Sequence, residues 1–556
     1  MSPAPTYKPL EIEVTDFGPI ARAKLDLRPL TVFVGPSNTG KSYLATLIYA
    51  LHRFFGGYAS NPGFARGVGT TVFEQSFKVL GGEKDISKEE YEALDAWMDW
   101  FCDHAKVKPI TDDFHTRLPD NVAPLLRSTL SEAHMLGRFL ARELTRCFGN
   151  NAAKQLVRHG SKKGVRVDLK RHVSQTSTSL EPIEYIFTIR DANITFEATF
   201  PQATPLVIEA DSSNYRRSGE IQQLISYTNS LRDHQKFTEE YEKQASQQTD
   251  PQQRALATDD VQGMQRQGEM LARLRETRLV SIVGTSVISP LHRTAHYLPA
   301  SRTGLMQAHR VVAASSIQQL SLPVSQGDRA LPTLSGVLAD FLEQLVTFRD
   351  LPWKERKHGW LLAAKLEEEI LKGQVHESRS ATGYPVFSYR LADRKEIIPL
   401  MQASSMVSEL APVVLYLRHA VQPGDVLIIE EPESHLHPGM QAAFTRQLAA
   451  AVRAGVRVML TTHSDYVLEE LANLVRMSDL PEEQRADLKG ADAALSSDEV
   501  GVWLFEPGQQ QEGSMVKEIP LDEDSGTFPA GYGAITEALY NTSVEIDSRI
   551  IESKSD

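Results

Sequence analysis

Residues 30–42 read LTVFVGPSNTGKS, and this stretch decides the fold. Its first part, Leu30–Val34, is an apolar, β-branched run of the kind that forms a buried strand. The remainder fits the phosphate-loop pattern G-x-x-x-x-G-K-[ST] in full, with Gly35, Pro36, Ser37, Asn38, Thr39, Gly40, Lys41 and Ser42. Apolar residues then recur at helical spacing from Ser42 to Phe55, so the loop joins a strand to a helix, as this motif requires.

This pattern predicts a binding site for nucleotide phosphates. Glycines let the backbone wrap so that successive N–H groups face an anion. Lys41 is expected to reach the β- and γ-phosphates, and the Ser42 hydroxyl is expected to coordinate Mg²⁺. The alternative, an accidental glycine-rich turn, does not explain the flanking strand and helix.

A second apolar run, Val426–Ile429, ends in the carboxylates Glu430 and Glu431. Ligands of α/β sheets bind at the carboxyl ends of the strands, so both side chains are expected to face the phosphate loop. Glu430 would hold Mg²⁺, and Glu431 would orient and deprotonate the attacking water. The next strand, Val456–Leu460, leads to His463, which could contact the γ-phosphate. The alternatives are an acidic solvent loop and a structural histidine.

Composition limits the class of protein. The chain has 556 residues, of which 41% are hydrophobic and 24% charged, which is typical of a globular protein and excludes a fibrous or disordered one. The net charge of −13 does not indicate a general nucleic-acid binder, although one basic face stays possible. Two cysteines favour a reducing, cytoplasmic setting. We find no signal peptide, and no apolar run reaches the roughly 18 residues of a membrane span.

Alternating strands and helices near both ends predict an α/β fold interrupted by insertions. We divide the chain into an N-terminal part of the core with the phosphate loop, an insertion that contains a helical hairpin near 218–280, and a C-terminal part of the core, at residues 1–58, 59–290 and 291–556. The last part is predicted to contain a strand over His296–Ser301, three short strands that could form a meander and a helix over Ser405–His419. The three short strands are Gly373–His376, Pro385–Leu391 and Glu396–Leu400.

The order of these motifs resembles the ABC-type ATPases of the RecF and SMC kind. More closely, EEPESHLHP followed by TTHS resembles the OLD-like ATP-binding proteins of the AAA type, which include ATPase subunits of bacterial anti-phage defence systems such as Septu and PARIS. The resemblance covers about residues 8–55 and 296–545. It implies an ABC-type P-loop core with a mixed sheet and large, partly helical insertions, with ATP and Mg²⁺ as ligands. It also implies that Glu430 supports Mg²⁺, Glu431 is the catalytic carboxylate and His463 is the switch histidine.

The resemblance further implies a signature motif that contacts the ATP of a second copy. Ser405 and Ser408 are the candidates, at the start of a predicted helix, but Met406 and Val407 replace the usual glycine pair. The alternative is that Ser405 is a simple helix N-cap. Arg302 resembles an arginine of OLD-like relatives that would lie near phosphate or a partner interface, and a surface arginine is the alternative.

These features predict an ATPase that forms a homodimer or higher oligomer around sandwiched ATP and regulates a separate effector, a nuclease or toxin, in anti-phage defence. No nuclease domain is recognised in this chain. The alternatives are a DNA-repair ATPase that clamps DNA and an ATP-dependent scaffold with little turnover. The hairpin is either a solvated insertion or a protruding arm. Four of its arginines could form a basic stripe for an acidic partner or for nucleic acid, or could make ordinary surface pairs; they are Arg266, Arg273, Arg275 and Arg278.

Overall fold

The structure is a computed structural model, and it describes part of the chain. The described residues are 10–60, 88–107, 114–117, 136–149, 155–171, 182–190, 193–199, 207–210, 215–247, 249–287, 291, 293–309, 334–347, 353–380, 385–508, 512–521, 542 and 544.

The strands of the described residues include both apolar–polar alternations and continuous apolar runs. In chain order they are β1 Glu11–Phe17, β2 Ile20–Asp26, β3 Leu30–Val34, β4 Phe114–Arg117, β5 Val165–Arg171, β6 Ile183–Arg190, β7 Asn193–Thr199, β8 Val207–Ala210, β9 Ala295–Leu298, β10 Gly373–Arg379, β11 Pro385–Leu391, β12 Ile397–Pro399, β13 Val426–Glu430, β14 Arg457–Thr462, β15 Val500–Glu506 and β16 Ser514–Ile519.

The longer helices are α1 Lys41–Ser60, α2 Lys88–Val107, α3 Leu136–Phe148, α4 Tyr215–Ser246, α5 Pro251–Val287, α6 Gly336–Thr347, α7 Trp353–Leu366, α8 Ser405–His419, α9 Pro438–Arg453 and α10 Asp465–Ser478. A π-helical turn, Glu367–Leu371, continues α7. A short helix occupies 302–309. Within the described part of the chain, no helix is both long and apolar enough to cross a membrane.

The fold is α/β, with a mixed sheet at its centre. Among the described residues, eleven strands form this sheet in the order β7-β6-β5-β1-β2-β16-β15-β3-β14-β13-β9. β9, β13, β14, β3 and β15 run parallel to one another, whereas β16 is antiparallel to β15 and β7 to β6. The predicted meander is confirmed as the antiparallel sheet β10-β11-β12.

The described residues divide into two compact units, each built from separate segments of the chain. The first comprises residues 1–12, 50–143 and 166–294, and the second comprises residues 13–49, 144–165 and 295–556. The predicted boundaries at 58 and 290 stay a prediction.

The core of the second unit explains why β3, β13 and the middle of β14 are mainly apolar. Both faces of these strands are buried, and Leu30, Ile429 and Leu460 belong to one apolar cluster. Helix α8 is buried from Val407 to Leu417, and its side chains fill the same cluster. Parallel strands covered on both faces read as continuous apolar runs, and this is the signal that predicted them.

In the first unit, α4 and α5 pack along each other and form a helical hairpin. Its basic stripe is corrected at Arg275, whose buried side chain forms an ion pair with Asp95 of α2. Arg266 is exposed, Arg278 is partly exposed and the side chain of Arg273 lies outside the described part. The arginines therefore do not share one solvent-facing stripe.

The strand predicted over His296–Ser301 is shorter in the structure. β9 ends at Leu298, and the N–H of Arg302 donates to the carbonyl of Pro299 at 3.1 Å, which closes a turn. Pro299 has no N–H to offer to a neighbouring strand, so it ends the ladder there. Arg302 consequently begins the short helix over 302–309.

Candidate functional site

Three parallel strands of the second unit bring the predicted site residues to one edge of the sheet. β14 lies between β3 and β13, with Thr462 opposite Val34 and Thr461 opposite Glu430. The carboxyl ends of these strands therefore meet at one edge, where α/β sheets bind their ligands. The residues that directly follow the three strands are the phosphate loop, Glu431 and His463.

The phosphate loop depends on its two motif glycines. The φ angle is +141° at Gly35 and +101° at Gly40, which side chains rarely tolerate. A Cβ atom at Gly40 would lie 2.7 Å from the Ile20 side chain, and one at Gly35 would lie 2.5 Å from the carbonyl oxygen of Phe505. The backbone N–H groups of residues 37–40 donate to no carbonyl of the described chain, so they are available to an anion.

Lys41 begins α1 and lies largely buried beneath the loop. Its ammonium donates to the carbonyl oxygens of Gly35 at 2.8 Å and Pro36 at 2.7 Å. Burial lowers the pKa of Lys41 to about 8, while the charges of Glu431 and Glu433 act in the opposite direction. A phosphate in this loop would therefore meet a desolvated cation, which attracts anions more strongly than an exposed one.

The Glu430 carboxylate is held on both of its oxygens. Oε1 accepts from the Tyr297 hydroxyl at 2.8 Å, and Oε2 accepts from the backbone N–H of Ala300 at 3.0 Å. The Tyr297 hydroxyl also lies 3.5 Å from the Thr46 hydroxyl of α1. Thr46 is four residues after Ser42, so the two hydroxyls share a face of α1 that is directed toward Glu430.

This donor set fits Mg²⁺. A hydroxyl and a carboxylate are the oxygen ligands that Mg²⁺ takes, and Mg²⁺ normally uses only one or two of them together with water and phosphate. Ser42 is exposed at the start of α1, as a ligand shared with a nucleotide must be. No group of three His, Cys, Asp or Glu side chains in the described residues could form an all-protein metal site.

Glu431 has a left-handed backbone, with φ +45°. For a non-glycine residue this conformation costs about 1–3 kcal/mol and needs support from its surroundings. Its N–H donates to the carbonyl of Thr461 on β14 at 2.8 Å, and its carboxylate accepts from the Ser434 hydroxyl at 3.3 Å. The turn that follows β13 is thereby attached to the neighbouring strand.

Sequence reasoning assigned no role to Glu433, which the structure brings into the site. Its Oε1 accepts the backbone N–H of His463 at 2.6 Å. Burial raises the pKa of Glu433, and this hydrogen bond opposes the effect. Burial, followed by the charge of Lys41, lowers the pKa of His463, which favours a neutral imidazole. The signal for Glu433 was its place as the third acid of EEPES, two residues after Glu431.

Arg302 is an interior residue, so the surface alternative is wrong. Its side chain is 0% exposed and forms an ion pair with Glu409 of α8 at 2.5 Å. The guanidinium also donates to the backbone carbonyls of Glu430 at 2.6 Å and Glu431 at 3.2 Å. Burial lowers the pKa of Arg302, and the carboxylate of Glu409 acts in the opposite direction.

The two signature candidates have different environments. Ser405 is exposed at the first position of α8. The N-cap is Ser404, whose side chain accepts from the N–H of Val407 at 3.4 Å, so the alternative role predicted for Ser405 belongs to its neighbour. Ser408 is buried and donates to the carbonyl of Leu400 at 3.1 Å. Of the two hydroxyls, only that of Ser405 is presented to solvent.

Residues 166–469 match the model of a protein family described as "AAA domain, putative AbiEii toxin, Type IV TA system". The match spans more than half of the chain. The chain belongs to this family. This AAA-family chain is therefore a P-loop ATPase; the match includes Glu430, Glu431 and His463, and the phosphate loop precedes it.

Two solved structures similar to this AAA-family chain are Smc head domains. One is the Smc head with an extended coiled coil, bound to the C-terminal domain of ScpA, from Pyrococcus furiosus (9% identity, 92% of this chain and 96% of that chain covered, TM-score 0.35). Another is the SMC head domain from Thermotoga maritima (9% identity, 92% and 99% covered, TM-score 0.33). No curated protein matches the chain.

Proposed function

We propose that this chain binds ATP with Mg²⁺ and hydrolyses it at the carboxyl edge of β3, β14 and β13, and that two copies close around the nucleotide. The observation that carries this proposal is the convergence of the buried Lys41, with its loop of available N–H groups, on the side of the sheet where Glu431 and His463 follow their strands. Lys41 experiences the charge of Glu431, so the cation and the candidate base lie in one electrostatic site.

Each side chain then has a distinct task. The loop N–H groups and Lys41 bind the phosphates, and Mg²⁺, held by Ser42 and Glu430, would offset their charge. Glu431 accepts a proton from water as the water oxygen bonds to the γ-phosphorus. The bond from the γ-phosphorus to the bridging oxygen breaks, and ADP and phosphate leave. A neutral His463 can donate a hydrogen bond to the γ-phosphate or accept one from the water.

The proposed dimer uses the exposed start of α8. Helix N-termini attract anions through their N–H groups and the helix dipole, so Ser405 and the first turn of α8 suit the γ-phosphate of a second copy. ATP would stabilise the closed pair, and hydrolysis would release it. The buried hydroxyl of Ser408 supports the helix by its bond to Leu400 and has no part in this contact.

For the biological setting, we propose control of a separate effector, a toxin or nuclease, in anti-phage defence. The support is the description of the family, which names a toxin and a toxin–antitoxin system. Opening and closing of an ATP-dependent pair would then switch the effector. Co-purification of a toxin or nuclease with the closed form, and its release on hydrolysis, tests this setting; ATP hydrolysis that depends instead on DNA would overturn it.

Two variants test the chemistry. Lys41→Ala removes the only cation of the loop and is expected to weaken ATP binding strongly in calorimetry. Glu431→Gln keeps size and hydrogen bonding but cannot accept the proton, so it should bind ATP normally and lose turnover by about 100-fold or more. Lys489→Ala and Glu482→Gln, at exposed positions, are the matched controls and should behave as wild type. Normal hydrolysis by Glu431→Gln would remove this residue from the mechanism.

A further inference from the structure

The segment from Tyr297 to Thr303 contacts the end of β13 in two ways. Tyr297 and the N–H of Ala300 hold the carboxylate of Glu430. Arg302 holds the main chain instead, since its guanidinium donates to the carbonyl oxygens of Glu430 and Glu431. One short segment therefore fixes both the Mg²⁺-side carboxylate and the backbone of the proposed catalytic glutamate.

The same segment is attached to α8. Arg302 forms an ion pair with Glu409 and donates to its carbonyl oxygen at 3.3 Å. Thr303 donates its hydroxyl to the other carboxylate oxygen of Glu409. Glu409 is 1% exposed, so the charge of Arg302 and the hydroxyl of Thr303 stabilise a carboxylate that water does not reach. Glu409 lies about one helical turn after Ser405, within the buried part of α8.

The backbone of Glu431 is the element on which these contacts act. Its left-handed conformation is unfavourable by itself, and it is supported on one side by the carbonyl of Thr461 and on the other by Arg302. Rotation of this peptide would redirect the carboxylate. A mismatch of about 1 Å at a reacting group can reduce a rate about 100-fold, so the peptide must be held firmly.

We propose that Arg302 is a positioning residue that couples α8 to Glu431: contact of Ser405 with the nucleotide of a second copy shifts the start of α8, and Glu409 and Arg302 transmit the shift to the catalytic carboxylate. This inference rests on the hydrolysis and dimerisation proposed above. It assigns to the arginine a role in the reaction although the side chain is fully buried and does not touch the substrate.

Arginine is required here because of its shape. The guanidinium has five donors in a planar fork, and this one reaches the Glu409 carboxylate and the carbonyls of Pro299, Glu409, Glu430 and Glu431. A lysine ammonium keeps the charge but has three donors at a single atom, so it cannot join α8 and β13 at the same time. Arg302→Lys therefore separates charge from coupling.

The experiment measures kcat, KM and ATP-driven association for Arg302→Lys. We expect kcat to fall about 10- to 100-fold with KM for ATP nearly unchanged, since Lys41 and the loop stay intact. In a Glu431→Gln background, which blocks turnover, Arg302→Lys should still associate with ATP in sedimentation. Retained association with reduced turnover indicates a loss of coupling, because a general loss of structure would impair both association and turnover.

Arg418→Lys is the matched control. Arg418 lies at the other end of α8, pairs with Glu367 at 2.7 Å and donates to the carbonyl of Val375 at 2.9 Å. It is a partly buried arginine of α8 whose ion pair and hydrogen bond go to the π-helical turn and to β10 rather than to the acidic strand. Thermal denaturation shows whether Arg302→Lys and Arg418→Lys have the same stability. An equal fall of kcat in Arg302→Lys and Arg418→Lys would overturn the proposal, as would a kcat of Arg302→Lys close to wild type.

Glu409→Gln and Thr303→Val keep the inference testable if Arg302→Lys fails to fold. Each weakens the link between α8 and the segment but leaves the contacts of Arg302 with Glu430 and Glu431. Both should lower kcat without changing KM, and wild-type rates in both would overturn the proposal. A wild-type protein that does not hydrolyse ATP, or a Glu431→Gln variant with normal turnover, would instead refute the proposed function before any Arg302 variant is considered.

Discussion

The environment of Lys41 differs strongly from that of a lysine exposed to solvent. With its pKa lowered to about 8 by burial, its ammonium is about half neutral at pH 8, whereas a free lysine is fully charged there. Phosphates favour the charged form, so nucleotide binding must raise this pKa again. Binding near pH 8 should therefore take up about half a proton, and the affinity for ATP should fall by up to about tenfold per pH unit above it.

Calorimetry in buffers of different ionisation enthalpy measures this proton uptake directly. Lys41→Arg is the control, because a guanidinium does not titrate in this range and its binding should take up no proton at this position. An affinity for ATP that stays constant between pH 8 and 10 would show that Lys41 is charged throughout and that burial does not control its titration.

Glu433 acts on the pKa of Lys41 in the direction opposite to burial, so its replacement tests the same titration. Its negative charge raises the pKa of Lys41 against the effect of burial. Glu433→Gln keeps an oxygen that can accept the N–H of His463 but removes the charge. The pH at which ATP affinity begins to fall should consequently move below 8. The same calorimetric titration checks this, and an unchanged or higher pH would contradict it.

The sequence predicted the residues that belong to a known motif and missed those that support them. Lys41 was found through the phosphate-loop pattern, and Glu430, Glu431 and His463 were found because they lie at or just after the ends of strands with an apolar run. The surface alternative for Arg302 was wrong because burial of a charged side chain depends on partners 107 and 128 residues away, which no local pattern reports.

At the scale of elements, prediction succeeded where the chain repeats a simple period. Helix α8 and strands β3 and β11 have the predicted limits. The strand before Arg302 was predicted too long because Pro299 was not read as its end. Buried apolar runs and amphipathic periods are properties of local sequence, whereas the end of a strand depends on the neighbour that offers or lacks a hydrogen bond.

The start of α8 allows capping to be separated from docking. Ser404→Ala removes the side chain that accepts from Val407 and should cost about 1 kcal/mol of stability without blocking association. Ser405→Arg leaves that cap in place but adds bulk and positive charge at an exposed position. It should retain monomeric ATP binding and lose ATP-dependent association.

Sedimentation with ATP, together with thermal denaturation, distinguishes the two variants. If Ser405→Arg associates like wild type, the first turn of α8 does not meet the second copy. If Ser404→Ala loses association as strongly as Ser405→Arg, association depends on the formation of the first turn of α8 and not on a contact of Ser405 with the second copy.

At the scale of the whole molecule, the interleaved segments of the two units are beyond what sequence patterns report. The arginines of the hairpin show the consequence. Arg275 pairs in the interior with Asp95 of α2, whereas Arg266 is exposed on the same helix. Arg275→Glu should lower the free energy of unfolding by about 3–5 kcal/mol, because it places a buried carboxylate opposite the partly exposed carboxylate of Asp95. Arg266→Glu should change it by less than about 0.5 kcal/mol.

Chemical denaturation of the two variants tests this contrast. Equal stability of Arg275→Glu and wild type would contradict the burial of Arg275. The result also fixes how any charge-reversal study of the hairpin must be designed, since a variant that includes Arg275 tests folding rather than binding.

The outer part of the hairpin is long, exposed and acidic. α4 has 32 residues, which corresponds to about 48 Å of helix. Residues 233–266 carry seven carboxylates and four basic side chains, so this part repels phosphates rather than attracting them. Large apolar side chains are nevertheless exposed along the hairpin, with Phe237 at 56%, Leu256 at 67% and Met270 at 63%. These features favour a protein partner over nucleic acid for this surface.

Replacement of residues 238–262 by a short Gly-Ser turn tests the role of the outer hairpin. Every residue of the candidate site belongs to the second unit, so ATP affinity and basal hydrolysis should stay within about twofold of wild type. DNA retention in a filter assay should not fall, because the removed segment is net acidic. Only engagement of a protein partner should be lost. A drop in DNA retention would restore the basic-arm interpretation, and a loss of ATP binding would show that the hairpin is needed to assemble the site.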